Sequence, residues 1–438
     1  MGRIANSSLS RKAIRLAMAN AALWAVGNGL ATTTLITYFA REMGAKGIAV
    51  SLILASATMV GLLRQLTPWL VAKVGSRKRF CLEMYAASAV ILMVLPGIAG
   101  PGFLPEKSWS LAVLVVLWCL YQLCEYFATV ALWSWLGDFI PERLRGSVLG
   151  QRESWLSGGR LVGMLASGLF TYYWGEKISR ATLGQAYSLC AICGALFMAA
   201  AVVPLIKMPA FESSPLSKPP SGGFVQMFFA PLASGPFLRL MLYGCSLGAV
   251  NGLLGAAQFF YGLNVLKLSL LIALAMRCET EFGQTAISAR VGKLIDRLGN
   301  RPVMMVSQLM VASAMVFYLT TTRDTWWWIF GASTMFIAYA GLNVGIPNLV
   351  LQLSPPAQRN AYVASYYAWA GLAYSLGSLA GGALFDYAAS RKLAWYFGEW
   401  RLDHFALFFL AGLVLRSALV VLIYAVPECS HPGSKPEA

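Results

Sequence analysis

"VGKLIDRLGNR", Val291 to Arg301, lies between two long apolar runs and concentrates Lys293, Asp296, Arg297 and Arg301 in an otherwise greasy chain. A blurred copy, "LVAKVGSRKR", occupies Leu70 to Arg79. Of the 438 residues, 58% are hydrophobic and 12% charged, and the mean hydropathy is +0.64. That leaves too little polar surface to coat a soluble globule of this size. Apolar runs recur at about the 20 residues a spanning helix needs. The fold class expected is therefore all-α integral membrane, with the charged stretches joining the spans.

Twelve transmembrane helices are expected, near 17–39, 48–71, 80–100, 109–136, 147–174, 184–206, 238–262, 268–290, 303–322, 326–350, 361–386 and 404–426. The basic leader "MGRIANSSLSRKAIR" precedes an apolar run too long for a signal h-region, so it reads as retained. The net charge of +16 invites a nucleic-acid reading, but its placement argues otherwise. Lys and Arg are in surplus in the loops on the side of the N-terminus, which by the positive-inside rule puts both termini in the cytoplasm. The expected partners of this charge are anionic headgroups of the bilayer, not nucleic acid. Arg64, Arg160, Arg277 and Arg416 fall inside helices.

The longest polar interruption, "KMPAFESSPLSKPPSGGFVQ" at Lys207 to Gln226, is rich in Pro, Ser and Gly and reads as a linker. The expected organisation is an N-terminal six-helix bundle at 1–206, a cytoplasmic linker at 207–236 and a C-terminal six-helix bundle at 237–438. The two halves repeat each other. Lys73, Gly75 and Arg77 align with Arg297, Gly299 and Arg301, each set expected in the loop after the second helix of its half. Independently, "PERLRGSVLGQRESW" from Pro141 aligns without gaps to "PPAQRNAYVASYYAW" from Pro355, matching Pro141, Arg145 and Trp155 with Pro355, Arg359 and Trp369.

These features resemble the major facilitator superfamily, whose loop pattern G-x-x-x-D-R-x-G-x-R is satisfied by Gly292, Asp296, Arg297, Gly299 and Arg301. The resemblance extends over the whole chain through helix number, linker position and the repeat. It implies two six-helix pseudo-repeats around a cavity that opens alternately to either side, working as a monomer. The side-chain chemistry of the stretch suits a gate. Gly permits a tight reversal, Asp296 can accept charge-assisted hydrogen bonds from an Arg, and Arg297 or Arg301 can meet helix C-terminal carbonyls. Lys73, Gly75, Arg77 and Arg145 are the corresponding gating candidates of the N-terminal half, where Ala72 replaces the Asp. The alternative is that these cations only set topology.

Charges at membrane depth cost about 2.5–3.5 kcal/mol at a helix centre on insertion scales and so mark candidate sites. Glu125 and Arg160 lie at matching depth on the fourth and fifth helices, and Gln122 is on the same face as Glu125. In the repeat alignment they correspond to Tyr339 and Tyr374, so a charged pair in one half answers an aromatic, hydrogen-bonding pair in the other. Some proton-coupled sugar carriers of the superfamily use a carboxylate and an Arg at similar positions, which implies substrate contact for Glu125 and Arg160. The alternative is an ion pair that only staples two helices. On the eighth helix Arg277, Glu281 and Gln284 share a face, while Glu279 points elsewhere. Glu279 and Glu281, the latter one turn from Arg277, are the candidates for proton or cation coupling. By family analogy the inner helices contribute Asn28, Asn251, Gln258 and Asn343 to substrate binding.

The function expected is secondary active or facilitative transport of a small polar solute by alternating access, in a plasma membrane of the bacterial inner-membrane type. The alternatives are a membrane sensor or scaffold without net transport, or a lipid or drug exporter. The fifth helix lacks the Gly-Pro pair usual in the antiporter subgroup, which disfavours drug exchange. No Walker loop, catalytic triad or metal constellation is present, so neither an enzyme nor a cofactor is expected.

Overall fold

The computed structural model describes residues 7–99, 107–137, 145–208, 229–354, 359–397 and 400–427. The expected linker at 207–236 lies largely outside them, as do both termini and the loop residues from Pro141 and from Pro355. The chain divides into two compact units, one drawn from Met1–Ser221 and Ser269–Leu274, the other from Gly222–Leu268 and Ala275–Ala438.

The first unit carries α1 (Ser7–Leu30), α2 (Thr33–Glu42), α3 (Gly47–Gly61), α4 (Thr67–Val74), α5 (Arg77–Ala99), α6 (Lys107–Gly137), α7 (Arg145–Lys177) and α8 (Leu183–Ile206). The second carries α9 (Gly235–Phe260), most of α10 (Leu270–Leu298), α11 (Asn300–Thr320), α12 (Phe330–Phe336), α13 (Tyr339–Leu353), α14 (Arg359–Ser390) and α15 (His404–Ala425). Every expected span coincides with helix. Among the described residues, eight helices are long and apolar enough to cross a membrane. The other expected segments, at 17–39, 48–71, 147–174 and 268–290, are helical but broken or charged. Large apolar side chains such as Val90, Val421 and Tyr424 are exposed, as a lipid-facing surface requires.

The breaks have local causes. Between α1 and α2, Thr32 is extended and its side-chain oxygen accepts from Leu35 N at 3.1 Å, capping a new helix start in mid-segment. The second expected helix passes through a 3-10 turn at Leu62–Leu66 before α4 starts, with Pro68 in its first turn, where a missing N–H costs no intrahelical bond. The tenth expected helix is split at Ile337–Ala338 into α12 and α13.

The all-α class stands, with one local addition that the apolar pattern did not announce: β1 (Ala394–Phe397) pairs antiparallel with β2 (Trp400–Asp403) between α14 and α15. The aromatic-rich "AWYF" and "WRLD" suit a strand, and Asp403 then caps α15 by accepting from Ala406 N at 2.9 Å. One expectation needs correction: the opening stretch is not a loop. Val291 to Leu298 are the last two turns of α10, with Ile295 buried, and only Gly299 leaves the helix, at φ +89°. Gly292 therefore lies inside a helix, where an added Cβ would meet open space, and it serves no reversal. Gly75 ends α4 in the same way at φ +77°, donating its N–H to Val71 O at 2.9 Å.

Glycines set the closest packing inside each unit. A Cβ on Gly29 of α1 would stand 2.3 Å from the Arg160 carbonyl oxygen of α7, so the two backbones touch. In the second unit a Cβ on Gly252 of α9 would stand 2.2 Å from the Tyr374 carbonyl oxygen of α14. The sequence repeat equates Arg160 with Tyr374, and both carbonyls rest on the glycine that follows an asparagine, Asn28 in one case and Asn251 in the other. Gly159 and Gly163 of α7 and Gly377 and Gly381 of α14 likewise let neighbouring helices approach closely.

Candidate functional site

In the first unit the α1–α7 crossing sets Asn28 and Arg160 on adjacent helices, and α6 brings Tyr121 and Glu125, one turn apart, to the same region. The buried Tyr121 hydroxyl donates to Met198 Sδ at 3.7 Å and interacts electrostatically with Asn28 and the Glu125 carboxylate. Arg160 acts electrostatically on Glu125, whose Oε2 is buried without a hydrogen-bond partner among the described residues. Gln122 is buried but makes no hydrogen bond to this group among the described residues. Tyr121, not among the residues expected from sequence, joins the group. The signal was present in the sequence, since Tyr121 sits four residues before Glu125 and i,i+4 neighbours meet on a helix.

Arg152 is a second cation that the sequence did not single out. It is buried, stacks over Trp133 at 4.6 Å from the ring centroid, and lies in electrostatic range of Tyr85, which is also in range of Glu125. The Tyr85 hydroxyl meets Thr129 Oγ1 at 3.3 Å.

The second unit contains a different arrangement. Arg416 of α15 is 3% exposed, and its Nη2 donates to Asn251 Oδ1 at 3.0 Å. Tyr339 Oη donates to the same oxygen at 2.9 Å. Nη1 of Arg416 reaches Val311 O at 3.4 Å, and the guanidinium lies 5.4 Å from the Phe336 ring centroid. Gln308 holds the Arg416 backbone carbonyl at 2.9 Å and accepts from Tyr243 Oη at 3.1 Å. The sequence offered no role for Arg416. Its role depends on α9, α11, α12 and α13 converging around it, which spacing along one chain does not reveal.

The split between α12 and α13 frees a carbonyl. Ala340 N bonds to Ile337 O at 3.0 Å instead of to Phe336 O, and Phe336 O accepts from Gln284 Nε2 at 3.1 Å. Gln284 Oε1 in turn accepts from Asn343 Nδ2 at 3.1 Å. On the same helix as Gln284, Arg277 and Glu281 form an exposed i,i+4 pair at 3.1 Å. Glu279 accepts from Thr334 Oγ1 at 2.7 Å through Oε1, and its Oε2 is buried without a partner among the described residues. Gln258 Nε2 is likewise buried and unpartnered among them. Tyr374 is partly buried and in electrostatic range of Tyr339 and Arg277.

The gating candidates lie at helix ends. Lys73 is exposed, 5.4 Å from the Trp69 ring centroid, and Arg77 is partly buried at the start of α5. Arg145 begins α7, and its side chain lies outside the described set. Asp296 and Arg297 are exposed on the last turn of α10, and Asp296 makes no ion pair among the described residues. Arg301 Nε donates to Val426 O at the C-terminus of α15. In the first unit the matching tie comes from Lys78, one residue beyond the aligned position. It donates to Ile206 O at 2.9 Å and Met208 O at 2.6 Å at the C-terminus of α8.

The family model described as Major Facilitator Superfamily matches residues 281–438. Solved structures share the fold over nearly the whole chain at low identity. A point mutant of the nucleoside transporter NupG has TM-score 0.69 and 14% identity, covering 95% of this chain and 99% of that one. A D-xylose-proton symporter has 0.68 and 13%, covering 95% and 98%. A POT family transporter in complex with a thioalcohol-conjugated peptide has 0.67 and 10%, covering 93% and 95%. A comparison with the curated proteins finds no match. The C-terminal third thus matches the family model described as Major Facilitator Superfamily, and the fold of nearly the whole chain is the one that these solved membrane transporters share.

Proposed function

We propose that the protein moves a small polar solute across a plasma membrane by alternating access, as a secondary active or facilitative transporter. The observation that carries this reading is the Asn28–Tyr121–Glu125–Arg160 group: a carboxylate with one buried oxygen unpartnered, placed on apolar helices where such an oxygen costs about 1–3 kcal/mol. A solute hydroxyl or amine that supplies the missing hydrogen bond recovers that cost on binding. The solved relatives named for nucleosides, D-xylose and peptides support a small polar cargo.

Coupling to a proton, if uptake is driven, falls to Glu279. Glu281 is already engaged with Arg277, whereas Glu279 has an oxygen free to carry a proton. The positive-inside bias supports both termini in the cytoplasm of a bacterial inner membrane, with residues 207–236 linking two six-helix bundles that act within one monomer.

The test is uptake and counterflow in proteoliposomes over sugars, nucleosides, amino acids and organic acids, comparing the native protein with Glu125→Gln and Arg160→Met. Loss of movement in variants that still fold supports the assignment. Transport that survives in both, or ligand binding without counterflow in the native protein, overturns it.

A further inference from the structure

The Asn251 carboxamide receives two donors on one oxygen, Nη2 of Arg416 at 3.0 Å and Oη of Tyr339 at 2.9 Å. A guanidinium has only donors, so it can face the amide oxygen and never the amide nitrogen. Arg416 is 3% exposed and anchored from behind, its backbone carbonyl held by Gln308 and its Nη1 turned to Val311 O. The amide therefore cannot flip without burying a donor against a donor. Its Nδ2 makes no hydrogen bond among the described residues, and Asn251 is only partly buried. Tyr339 has spent its proton on Asn251, and its oxygen keeps free lone pairs. Two polar atoms of fixed and opposite character thus stand side by side: a donor on Asn251 and an acceptor on Tyr339.

We propose that Arg416 is a positioning residue that locks Asn251 as a donor beside the Tyr339 acceptor, making a subsite for a vicinal diol on a neutral solute. One hydroxyl accepts from Asn251 Nδ2 while its neighbour donates to Tyr339 Oη. A carboxylate, which can only accept, meets the tyrosine lone pairs unfavourably. This rests on the reading of the protein as a transporter of small polar solutes and adds the class of solute group recognised. It also gives a function to a cation far along the chain from either asparagine or tyrosine.

The experiment measures melting shift and equilibrium binding of D-ribose, D-xylose and uridine to the purified protein, each beside a deoxy analogue lacking one of the paired hydroxyls. At least one diol should bind the native protein about tenfold more tightly than its deoxy partner, the worth of a single hydrogen bond. In Arg416→Met that ratio should collapse towards one, and Arg416→Lys, which keeps a donor, should restore part of it. Asn251→Asp keeps a partner for Arg416 but turns the donor into an acceptor, so it should fold and yet lose diol binding. A purely structural Arg416 would lower the melting temperature and leave the diol-to-deoxy ratio unchanged, and that result overturns the proposal. If Arg416→Met does not fold, Asn251→Asp decides: diol binding kept in that variant overturns the subsite. Failure of all three diols to bind the native protein overturns the diol class, and counterflow of another solute lost in Glu125→Gln would show the transporter reading standing without it.

Discussion

In each unit an asparagine on the first long helix meets a tyrosine from the fourth expected helix, yet the cation beside them comes from a different place. In the first unit it is Arg160, from the helix that packs on α1, and it acts electrostatically on the Glu125 carboxylate. In the second it is Arg416, from the last helix, and its partners are the neutral Asn251, a backbone carbonyl and the Phe336 ring. One half sets a carboxylate within the field of a cation, and the other an oriented dipole beside one. The difference teaches that a duplicated scaffold conserves the approach of backbones, fixed by Gly29 and Gly252, more strictly than the chemistry hung on it.

The comparison breaks most visibly at those glycines. Gly29→Leu and Gly252→Leu should each cost about 3 kcal/mol or abolish folding, because the new side chain collides with the backbone of a neighbouring helix. Similar losses of folded yield and melting temperature are expected for the two. A well-folded variant of either would mean that the close crossing is not a shared foundation.

The next contrast is functional. Glu125→Gln should lower transport about 100-fold, in keeping with removal of a buried charge from the field of a cation, whereas Tyr339→Phe should lower it about tenfold or less. Equal effects in vesicle uptake would erase the distinction between carboxylate and dipole. Within the second unit, Glu279→Gln should abolish dependence on a proton gradient while Glu281→Gln leaves it intact, read by uptake with and without an imposed pH difference. The reverse order would return the coupling role to the Arg277-linked carboxylate.

A smaller effect is expected at the helix C-termini. Lys78→Ala and Arg301→Ala should each cost about 1 kcal/mol, lowering the melting temperature without changing solute preference. Gly292→Ala should be nearly silent, since the new methyl meets open space on a helix. A large loss there would restore to Gly292 a turn-like role that the continuous α10 denies.

Much of this was legible in the sequence because it is one-dimensional. Hydropathy gives the apolar runs, and a fixed offset gives the repeat that equates Arg160 with Tyr374. Spacing of four gives the Arg277–Glu281 pair. What escaped depends on three dimensions or on small local energies. The ends of helices shift because capping by Thr32 or a left-handed glycine is worth about 1 kcal/mol, too little to stand out in a window of apolar residues. Lys78 replaces Arg77 at the α8 carbonyls because the helix start is rotated by one residue relative to its repeat. Arg416 is silent in sequence because all its partners are distant. Tyr121 is less conspicuous than Gln122 because its ring reads as apolar, although it too shares a helix face with Glu125.

The split between α12 and α13 carries one more consequence. Phe336 O has exchanged a backbone partner for the Gln284 amide, so no acceptor is left empty by the break. Straightening the segment would hand Phe336 O back to Ala340 N and release the glutamine, at the loss of its one hydrogen bond to that carbonyl. A partner that engages the freed amide would offset that loss and favour the straight form. Asn343, already bonded to the other end of that amide, would register the exchange at once.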